Sequence, residues 1–304
     1  MDKKEILNIG GQALIEGIMM KGPEKYSIAI RTPNGEIDVQ TWNNAPLKFK
    51  NIPILRGVVN FFGSLVTGYK SLMHSADLSL MEEEPSKFEI WLGKTFGKKG
   101  SDIITMAAGV LGGGLALVLF MILPTTITGI INWLLPLGGF KALVEGVLKL
   151  CIFLLYLWAV SKQSDIKRVF SYHGAEHKTI ACYEAGEELT VENVKKHTRF
   201  HPRCGTSFIF IVLVVSIIIF SFVPWHSTFY RVLLKLVTLP LIVGISYEIL
   251  RATGKYSNFC TKILAAPGLW FQRLTTNEPD EDMIEVAIAS VKAILPKGTE
   301  DVQA

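Results

Sequence analysis

One stretch constrains the fold of this chain more than any other: from Ile103 to Phe140 there is no Lys, Arg, Asp or Glu. About 20 apolar residues are enough to cross the roughly 30 Å hydrocarbon core of a bilayer, so the part from Ile103 to Leu123 alone predicts a spanning helix. The segment from Cys204 to Tyr230 also lacks these four residue types and predicts another. Charged residues are 19% of the chain, against about 25% in soluble domains, which also favours a membrane protein.

Two further segments predict spanning helices although each carries a few charges. They run from Phe140 to Ser161 and from Phe229 to Leu250. In the first, Lys141, Glu145 and Lys149 are spaced by four residues, so they share one helical face and can pair with one another. The alternative for each segment is a long surface helix. Together with the first two runs, they predict an α-helical polytopic membrane protein with about four transmembrane helices.

The distribution of basic residues predicts how these helices are oriented. Lys and Arg are frequent before the first span, in the linker between the second and third spans, and after the last, whereas the two intervening loops have none. Because Lys and Arg collect on the cytoplasmic side of a membrane, both termini and the central linker are predicted to be cytoplasmic. The net charge of +4 then reflects membrane topology. The expected partner is therefore the lipid bilayer, and no nucleic acid is expected.

The N-terminal and cytoplasmic segments predict smaller elements. The first residues, MDKKEILNIGGQALIEG, lack the apolar core of a signal peptide. Residues 26–31 (YSIAIR) and 36–42 (EIDVQTW) alternate apolar and polar side chains around an Asn-Gly step, which favours a β-hairpin. Residues 53–74 are apolar but short for a span and have basic flanks. We interpret them as a helix in the cytoplasmic interface, with a re-entrant or spanning helix as the alternatives.

These interpretations divide the chain into six regions. The cytoplasmic regions are expected to form a helical cap with a small N-terminal β element. The regions are the N-terminal cytoplasmic β-hairpin region (1–52), the interfacial helix and charged linker (53–101), transmembrane helices 1 and 2 (102–161), the cytoplasmic histidine-rich linker (162–206), transmembrane helices 3 and 4 (207–250) and the cytoplasmic C-terminal region (251–304).

The central linker contains the stretch SYHGAEHKTIACYE, whose histidines predict a metal site. If Tyr172 to Ala185 form a helix that ends near Gly186, then His173, Glu176 and His177 share one face. Two imidazoles four residues apart can bind one metal ion, and the Glu beside the second can act as general base, as in zinc sites of the H-x-x-E-H kind. Histidines at this spacing also occur on helices without a metal.

Further ligand candidates follow in KKHTRFHPRCGTS. His197 and His201 are four residues apart, and Cys204 follows three residues later. Pro202 disfavours a helix at the residue before it, so we expect His197 to end a helix and His201 and Cys204 to lie on a turn that enters the third span. Disulfides are rare in the cytoplasm, which leaves the thiol of Cys204 free. The predicted ligands of a divalent metal ion, most simply zinc, are therefore His173, His177, His201 and Cys204.

Other charged residues are additional candidates. Glu16 lies in an otherwise apolar stretch and is either a solvated edge residue or a buried functional carboxylate. Glu184 shares the helical face of the histidine pair. Glu248, near the cytoplasmic end of the last predicted span, either completes the metal site at the depth of His201 or forms an ion pair with Arg251.

Three interpretations of the histidines remain open from the sequence. Without a metal, they are interfacial side chains that bond lipid phosphates or carboxylates, and Gly174 weighs against the helix itself. With a metal, the chain is either a metal-dependent hydrolase with Glu176 as the catalytic general base, or a non-enzymatic transporter or assembly factor with a structural metal clip. Structural zinc sites are closed by four protein ligands and catalytic sites keep an open position, so the coordination number separates these two.

Four motifs resemble those of the YqhQ-like bacterial membrane proteins. They are GGQALIEGIMMKGP (10–23), YHGAEHKTIACYE (172–184), HPRCGTSF (201–208) and SYEILR (246–251). The resemblance covers nearly the whole chain and implies a multi-pass protein of the bacterial cytoplasmic membrane, in a family described as predicted metal-dependent enzymes of unknown function. It favours His201 over His197, because only His201 lies in a resembling motif. A peptide or lipid-linked substrate would suit a site at the membrane face.

Overall fold

A computed structural model describes residues 9–44, 49, 51–79, 99–202, 204–223, 227–255 and 259–296. These residues are mostly helical and include one small antiparallel sheet. The chain forms two compact units. Unit 1 consists of residues 1–80, 157–212 and 243–304, and unit 2 consists of residues 81–156 and 213–242. Each unit therefore combines segments that are far apart in the sequence.

The helices account for most of the described chain. In order they are Leu55–Ser79 (α1), Lys99–Leu117 (α2), Leu123–Leu134 (α3), Lys141–Val160 (α4), Ser164–Ala185 (α5), Val191–Lys196 (α6), Gly205–Ser221 (α7), Thr228–Lys255 (α8), Phe259–Thr275 (α9) and Glu281–Ile294 (α10). A π-helical turn, Val118–Ile122, joins α2 to α3, and a 3-10 turn, Gly138–Phe140, precedes α4.

Four strands near the N terminus form an antiparallel sheet in the order β1-β2-β3-β4. They are Gly10–Leu14 (β1), Gly17–Lys21 (β2), Lys25–Arg31 (β3) and Ile37–Asn43 (β4). The predicted hairpin is confirmed as β3 and β4. The glycine-rich segment before it forms β1 and β2. Strand β2 is buried on both faces, so it lacks the alternation of apolar and polar residues by which a strand is recognised.

Helices α5 and α10 pack with the sheet to form the main apolar core of unit 1. The core includes Ile18 and Met20 of β2, Ala175 of α5, and Ile284 and Val291 of α10. Hydrogen bonds add a specific connection between the ends of the chain: Ser27 Oγ donates to the carbonyl oxygen of Ser290 (2.7 Å). The C-terminal helix is therefore part of the same folded body as the N-terminal strands.

The first predicted span is longer in the structure than in the sequence analysis. We predicted a helix from Ile103 to Leu123 and a loop from Pro124 to Gly139, but the helix continues as α3 to Leu134. Proline has no N–H and breaks the interior of an α-helix. Pro124 lies in the first turn of α3, directly after the π-helical turn, where its missing N–H is tolerated. The position of Pro124 in this first turn explains why the helix continues beyond the proline.

Three described helical stretches are long and apolar enough to cross a membrane: Met106–Leu134, Gly138–Val160 and Thr228–Thr253. They correspond to the first, second and fourth predicted spans. The third predicted span contains α7, which is apolar but shorter, and residues 224–226 near its predicted end lie outside the described residues. By helix length and composition, the structure is that of a membrane protein with these three candidate spans.

The acidic residue of the second predicted span, Glu145, pairs with basic residues of another helix. Glu145 accepts a hydrogen bond from Nε of Arg231 (3.1 Å) and also forms an ion pair with Nζ of Lys235, both of them on α8. The side chains of all three are almost fully buried within unit 2. The carboxylate of Glu145 therefore does not make the predicted pairing with Lys141 and Lys149 on its own helix. A buried charge in an apolar setting requires such a partner.

Candidate metal centre

Helix α5, in unit 1, carries the two histidines of the H-x-x-E-H pattern. His173 and His177 are one turn apart on the helix, and their ring centroids are separated by 4.4 Å. The helix ends at the predicted residue, since Gly186 adopts the left-handed conformation with φ 73° and its N–H donates to the carbonyl oxygen of Tyr183 (3.0 Å). Glycine is favoured at this position because it has no Cβ. The predicted polar stripe is therefore present.

Backbone carbonyls fix both imidazoles in one tautomer. Nδ1 of His173 lies 2.9 Å from the carbonyl oxygen of Thr275, and Nδ1 of His177 lies 2.6 Å from that of Arg199. Because a carbonyl oxygen only accepts hydrogen bonds, each Nδ1 carries the hydrogen. Each neutral ring then presents the lone pair of Nε2. Metal-binding histidines are usually held in this way by a partner on the other ring nitrogen.

Cys204 completes a group of three candidate ligands. Its Sγ lies 3.2 Å from Nε2 of His173, and one ligand atom from each of His173, His177 and Cys204 lies within 4.8 Å of the other two. Nε2 of His177 is buried and has no hydrogen-bond partner among the described residues. A buried polar atom without a partner is costly, and a metal ion among these three atoms would satisfy it. Imidazole and thiolate are both zinc ligands, so the residues fit such an ion.

Glu176 is positioned by the first strand of the sheet. The backbone of Gly11 lies close enough to its carboxylate to lower the pKa of Glu176. A Cβ at Gly11 would lie 2.9 Å from Cδ of Glu176 and 2.7 Å from the carbonyl oxygen of Met19, so a larger residue does not fit there. Oε2 of Glu176 is buried and has no hydrogen-bond partner among the described residues. The close contact with β1 therefore restricts the carboxylate, and Oε2 is left to interact with a ligand.

Burial controls the charge of both groups. It lowers the pKa of His177, and the contact with Cys204 opposes this shift. The imidazole therefore favours the neutral form that a metal requires. Burial raises the pKa of Glu176, while the neighbouring histidines and the N–H of Gly11 lower it. A bound cation would act in the same direction as those neighbours and favour the ionised carboxylate.

His201, predicted as a ligand, lies beside the group of three but does not belong to it. Its ring centroid is 5.7 Å from that of His177, and its Nε2 is 3.4 Å from Oε2 of Glu184. The buried amide of Gln272 holds its backbone, accepting from the N–H of His201 and donating to its carbonyl oxygen, both at 2.8 Å. Nothing in the sequence singles out Gln272, since it lies 71 residues away in α9. Glu184, also a predicted candidate, therefore lies beside His201.

His197 belongs to a different group. It ends α6 as predicted, and its Nε2 lies 3.1 Å from Oε2 of Glu187. With Cys182 these residues form a second set of three candidate ligands. Burial raises the pKa of Cys182 to about 11, so its thiol stays protonated without an ion. Among the described residues, no backbone carbonyl holds the histidine of this second set, and none of its buried nitrogens lacks a partner. The group around His177 is therefore the stronger candidate.

The remaining candidates form ion pairs apart from the group of three. Glu16 lies in the turn between β1 and β2, and Nε of Arg168 donates to its Oε1 (2.5 Å), which holds the pKa of Glu16 below its usual range. Glu248 accepts from Nε of Arg56 (2.7 Å). Arg251, with which an ion pair was one of the two alternatives for Glu248, is exposed. Both carboxylates thus connect helices or turns of unit 1.

Gly174 allows a close approach that brings an anchoring carbonyl to the site. A Cβ at this position would collide with the carbonyl oxygen of Asn277 and lie 3.5 Å from Cδ of Pro279. A helical glycine costs about 1 kcal/mol relative to alanine, which weighed against a helix in the sequence. The structure gives its reason: the segment that follows α9 must come close to α5 for the carbonyl of Thr275 to reach His173.

Known proteins similar to this chain are described only in general terms. A family model described as "Protein of unknown function (DUF1385)" matches residues 52–297. The "Uncharacterized protein YqhQ" of Bacillus subtilis (strain 168) is 36% identical over 298 residues, which cover 94% of this chain and 92% of that protein. No solved structure matches the chain. The two matches confirm the family resemblance of the motifs, and neither description names a reaction or a ligand.

Proposed function

We propose that this chain, which belongs to the DUF1385 family, is a metal-dependent hydrolase that acts at the cytoplasmic face of the bacterial membrane. One observation carries the proposal: backbone carbonyls hold His173 and His177 in the same tautomer, with Sγ of Cys204 beside them. Histidines that only bond lipid headgroups have no need of this paired anchoring. A metal ion with affinity for nitrogen and sulfur accounts for all three side chains.

Zinc suits this set of donor atoms best. It binds imidazole nitrogen and thiolate sulfur, and three protein ligands are typical of catalytic zinc sites, where a fourth position stays open. When bound, such an ion lowers the pKa of a water molecule from 15.7 to about 7. The carbonyl groups of Thr275 and Arg199 would keep both imidazoles oriented towards the ion.

Glu176 is assigned as the general base. It precedes the ligand His177 by one residue on α5, so its carboxylate lies on the side of the candidate ligands. The close approach of Gly11 restricts this carboxylate, and Oε2 is left to accept a proton from the attacking water. The carboxylate would then pass the proton to the leaving group of the substrate.

The membrane setting is the second part of the proposal. Four spanning helices, with both termini and the central linker in the cytoplasm, agree with the distribution of Lys and Arg and with the three long apolar helices. Helix α7 would be the remaining span. Because the ligand Cys204 immediately precedes α7, the centre would lie close to the point where this helix enters the bilayer. A peptide or a lipid-linked compound is the substrate class that suits this location.

One observation favours the non-enzymatic alternative. The ring of His201 is only 5.7 Å from that of His177, so a modest change of its side chain would add a fourth ligand. A site closed by four protein ligands is typical of structural zinc. The chain would then be a transporter or an assembly factor that uses the metal as a clip.

Substitution of Glu176 distinguishes the two roles. Glu176→Gln keeps the size and most hydrogen bonding of the side chain but cannot take the proton, so it should retain the metal while losing about 10²–10⁴-fold in rate. We expect it to fail to restore function to a bacterial strain that lacks the protein, as His177→Ala should also fail. Glu187→Gln, an exposed carboxylate outside the group of three, is the matched control and should complement. If Glu176→Gln complements while His177→Ala does not, the metal is structural and the hydrolase proposal is wrong.

A further inference from the structure

Helix α1 has its small side chains inside and its large apolar side chains outside. The buried residues are Gly57, Gly68, Ser71 and Ser75. The outward side chains of Phe62, Leu65, Val66, Tyr69 and Leu72 are between 37% and 56% exposed. A surface helix of a soluble domain normally turns its apolar stripe towards the core. This helix therefore presents an apolar face that the described residues do not cover.

The inner face of α1 is occupied along most of its length. A Cβ at Gly57 would lie 2.8 Å from Cβ of Tyr247, and Nδ2 of Asn60 donates to the hydroxyl of the same tyrosine (2.9 Å). Near the other end, Oγ of Ser75 accepts a hydrogen bond from the N–H of Ile15 (3.3 Å). The small residues are thus needed for close contact with α8 and the sheet, and the helix cannot turn its apolar face inward.

Helix α1 is attached to the ends of two apolar helices. Arg56 pairs with Glu248, which lies near the end of the candidate span Thr228–Thr253. The ring of Phe61 is 5.7 Å from that of Phe208, in the first turn of α7. The outward face of α1 therefore begins where these helices would leave the hydrocarbon region. Lipid is therefore the expected partner of this face, because a bilayer around the spans would extend to the helix ends to which α1 is attached.

We propose that α1 lies in the plane of the cytoplasmic membrane surface, with its outward apolar face in contact with lipid acyl chains. Its 25 residues would measure about 37 Å, enough to cross a bilayer. Crossing is ruled out by the inner face, because it would carry the attached sheet, with its edges and loops, into the hydrocarbon core. The exposed Lys70 on the same helix can extend its amine to lipid phosphates.

A lipid-bound α1 would also support the candidate metal centre. Gln12 of β1 packs so closely on Gly68 that a Cβ there would collide with its side-chain amide. Gly11, the adjacent residue, packs closely against the carboxylate of Glu176. The membrane surface would thus support the strand that positions the carboxylate. Only this last step rests on the proposed function; the lipid contact itself rests on the spanning helices.

Lipid photolabelling tests the contact on the full chain. The protein is reconstituted into liposomes of phosphatidylethanolamine and phosphatidylglycerol, with a trace of phospholipid that carries a diazirine either near the headgroup or at the acyl terminus. Adducts are mapped to residues by mass spectrometry. We expect Phe62, Leu65 and Val66 to react severalfold more with the shallow probe than with the deep probe. Val147 and Val237, which are exposed midway along candidate spans, should prefer the deep probe.

An exposed apolar residue of the sheet provides the control. Val39 on β4 is 39% exposed and should react with neither probe. Labelling of Val147 and Val237 without labelling of α1 would overturn the inference and indicate that a protein covers the face. Preference of the α1 residues for the deep probe would also overturn it, in favour of a spanning helix. If Val147 and Val237 are unlabelled, the proposed spans are wrong and the lipid contact falls with them.

A variant checks that the apolar face causes the contact. Combined Phe62→Ser, Leu65→Ser and Val66→Ser leave the small inner residues unchanged, so the metal content should stay as in the wild type. Shallow labelling of α1, read at Tyr69 and Leu72, should fall severalfold while labelling of Val147 does not change. Unchanged labelling of α1 in this variant would contradict the proposal.

Discussion

Nε2 of His173 lies 3.2 Å from Sγ of Cys204, although 31 residues separate them in the chain. The two atoms come from the middle of α5 and from the residue before α7. Helix α6 and the turns beside it return the chain to the starting helix. The contact therefore depends on the fold of the whole central linker, and its ligands can be tested one at a time.

Loss of either anchored histidine should empty the centre. His173→Ala and His177→Ala each remove one of three ligands, so each variant should lose most of the bound ion while still inserting into the membrane. Cys204→Ser replaces a soft thiolate with a hydroxyl that zinc binds poorly, and we expect the same result. The measurement is metal content per chain of purified protein, by mass spectrometry of the element.

Two substitutions serve as controls for the metal content. His197→Ala and Cys182→Ser alter the same residue types in the second set of candidate ligands, and the ion should remain in both. If these two variants lose the ion and His177→Ala keeps it, the metal centre is instead the second set of candidate ligands.

Gly11 should be required for activity and not for metal binding. In Gly11→Ala the new methyl group would meet the carboxylate of Glu176 at about 2.9 Å, so the carboxylate must move. We expect full metal content but failure to complement. Gly10→Ala is a closely matched control, because a Cβ there has nothing within 4 Å. Equal complementation by the two variants would show that the contact with β1 does not position the base.

Gly174→Ala should destabilise the protein through overpacking. The added methyl group collides with the backbone of Asn277, and such insertions typically cost about 1–3 kcal/mol. Separation of this segment from α5 would also withdraw the carbonyl of Thr275 from His173, so metal affinity should fall. Thermal unfolding in detergent and metal titration measure the two effects. Gly63→Ala, in a helix with open space at the Cβ, should not lower the Tm.

The orientation of the spans can be tested with reporter fusions. A fusion at Gly186 should report a cytoplasmic location, and one at Gly138 an external location, because basic residues surround only the first position. Detection of Gly186 outside the cell would reverse the proposed topology. It would also remove the reducing environment that keeps Cys204 a free thiol.

Local sequence patterns were sufficient for some parts of the site. The i, i+4 spacing located His173 and His177 on one helical face, and Gly186 marked the end of that helix. These patterns could not predict that Cys204, and not His201, belongs to the group of three. That membership depends on Gln272 and on the carbonyl group of Thr275, both in α9, which reach the linker only through tertiary folding.

The fold was predicted least well where burial hides periodicity. Strand β2 is covered on both faces, so its continuous apolar sequence did not indicate a strand. Pro124 predicted a helix end because the π-helical turn that accommodates it has no sequence signature. Glu145 pairs with Arg231 on a helix far along the chain, which spacing within one segment cannot reveal.

The bond between Ser27 and Ser290 also determines when this protein can finish folding. A ribosome synthesises the strands of the sheet before the candidate spans and the helix that covers them after these spans. Until α10 emerges, the buried side chains of Ile18 and Met20 have no complete cover. The nascent sheet must therefore remain soluble, or be protected by a chaperone, throughout membrane insertion. Unit 1 can therefore be completed only after the candidate spans have been synthesised, and truncation near residue 280 should yield an aggregation-prone chain.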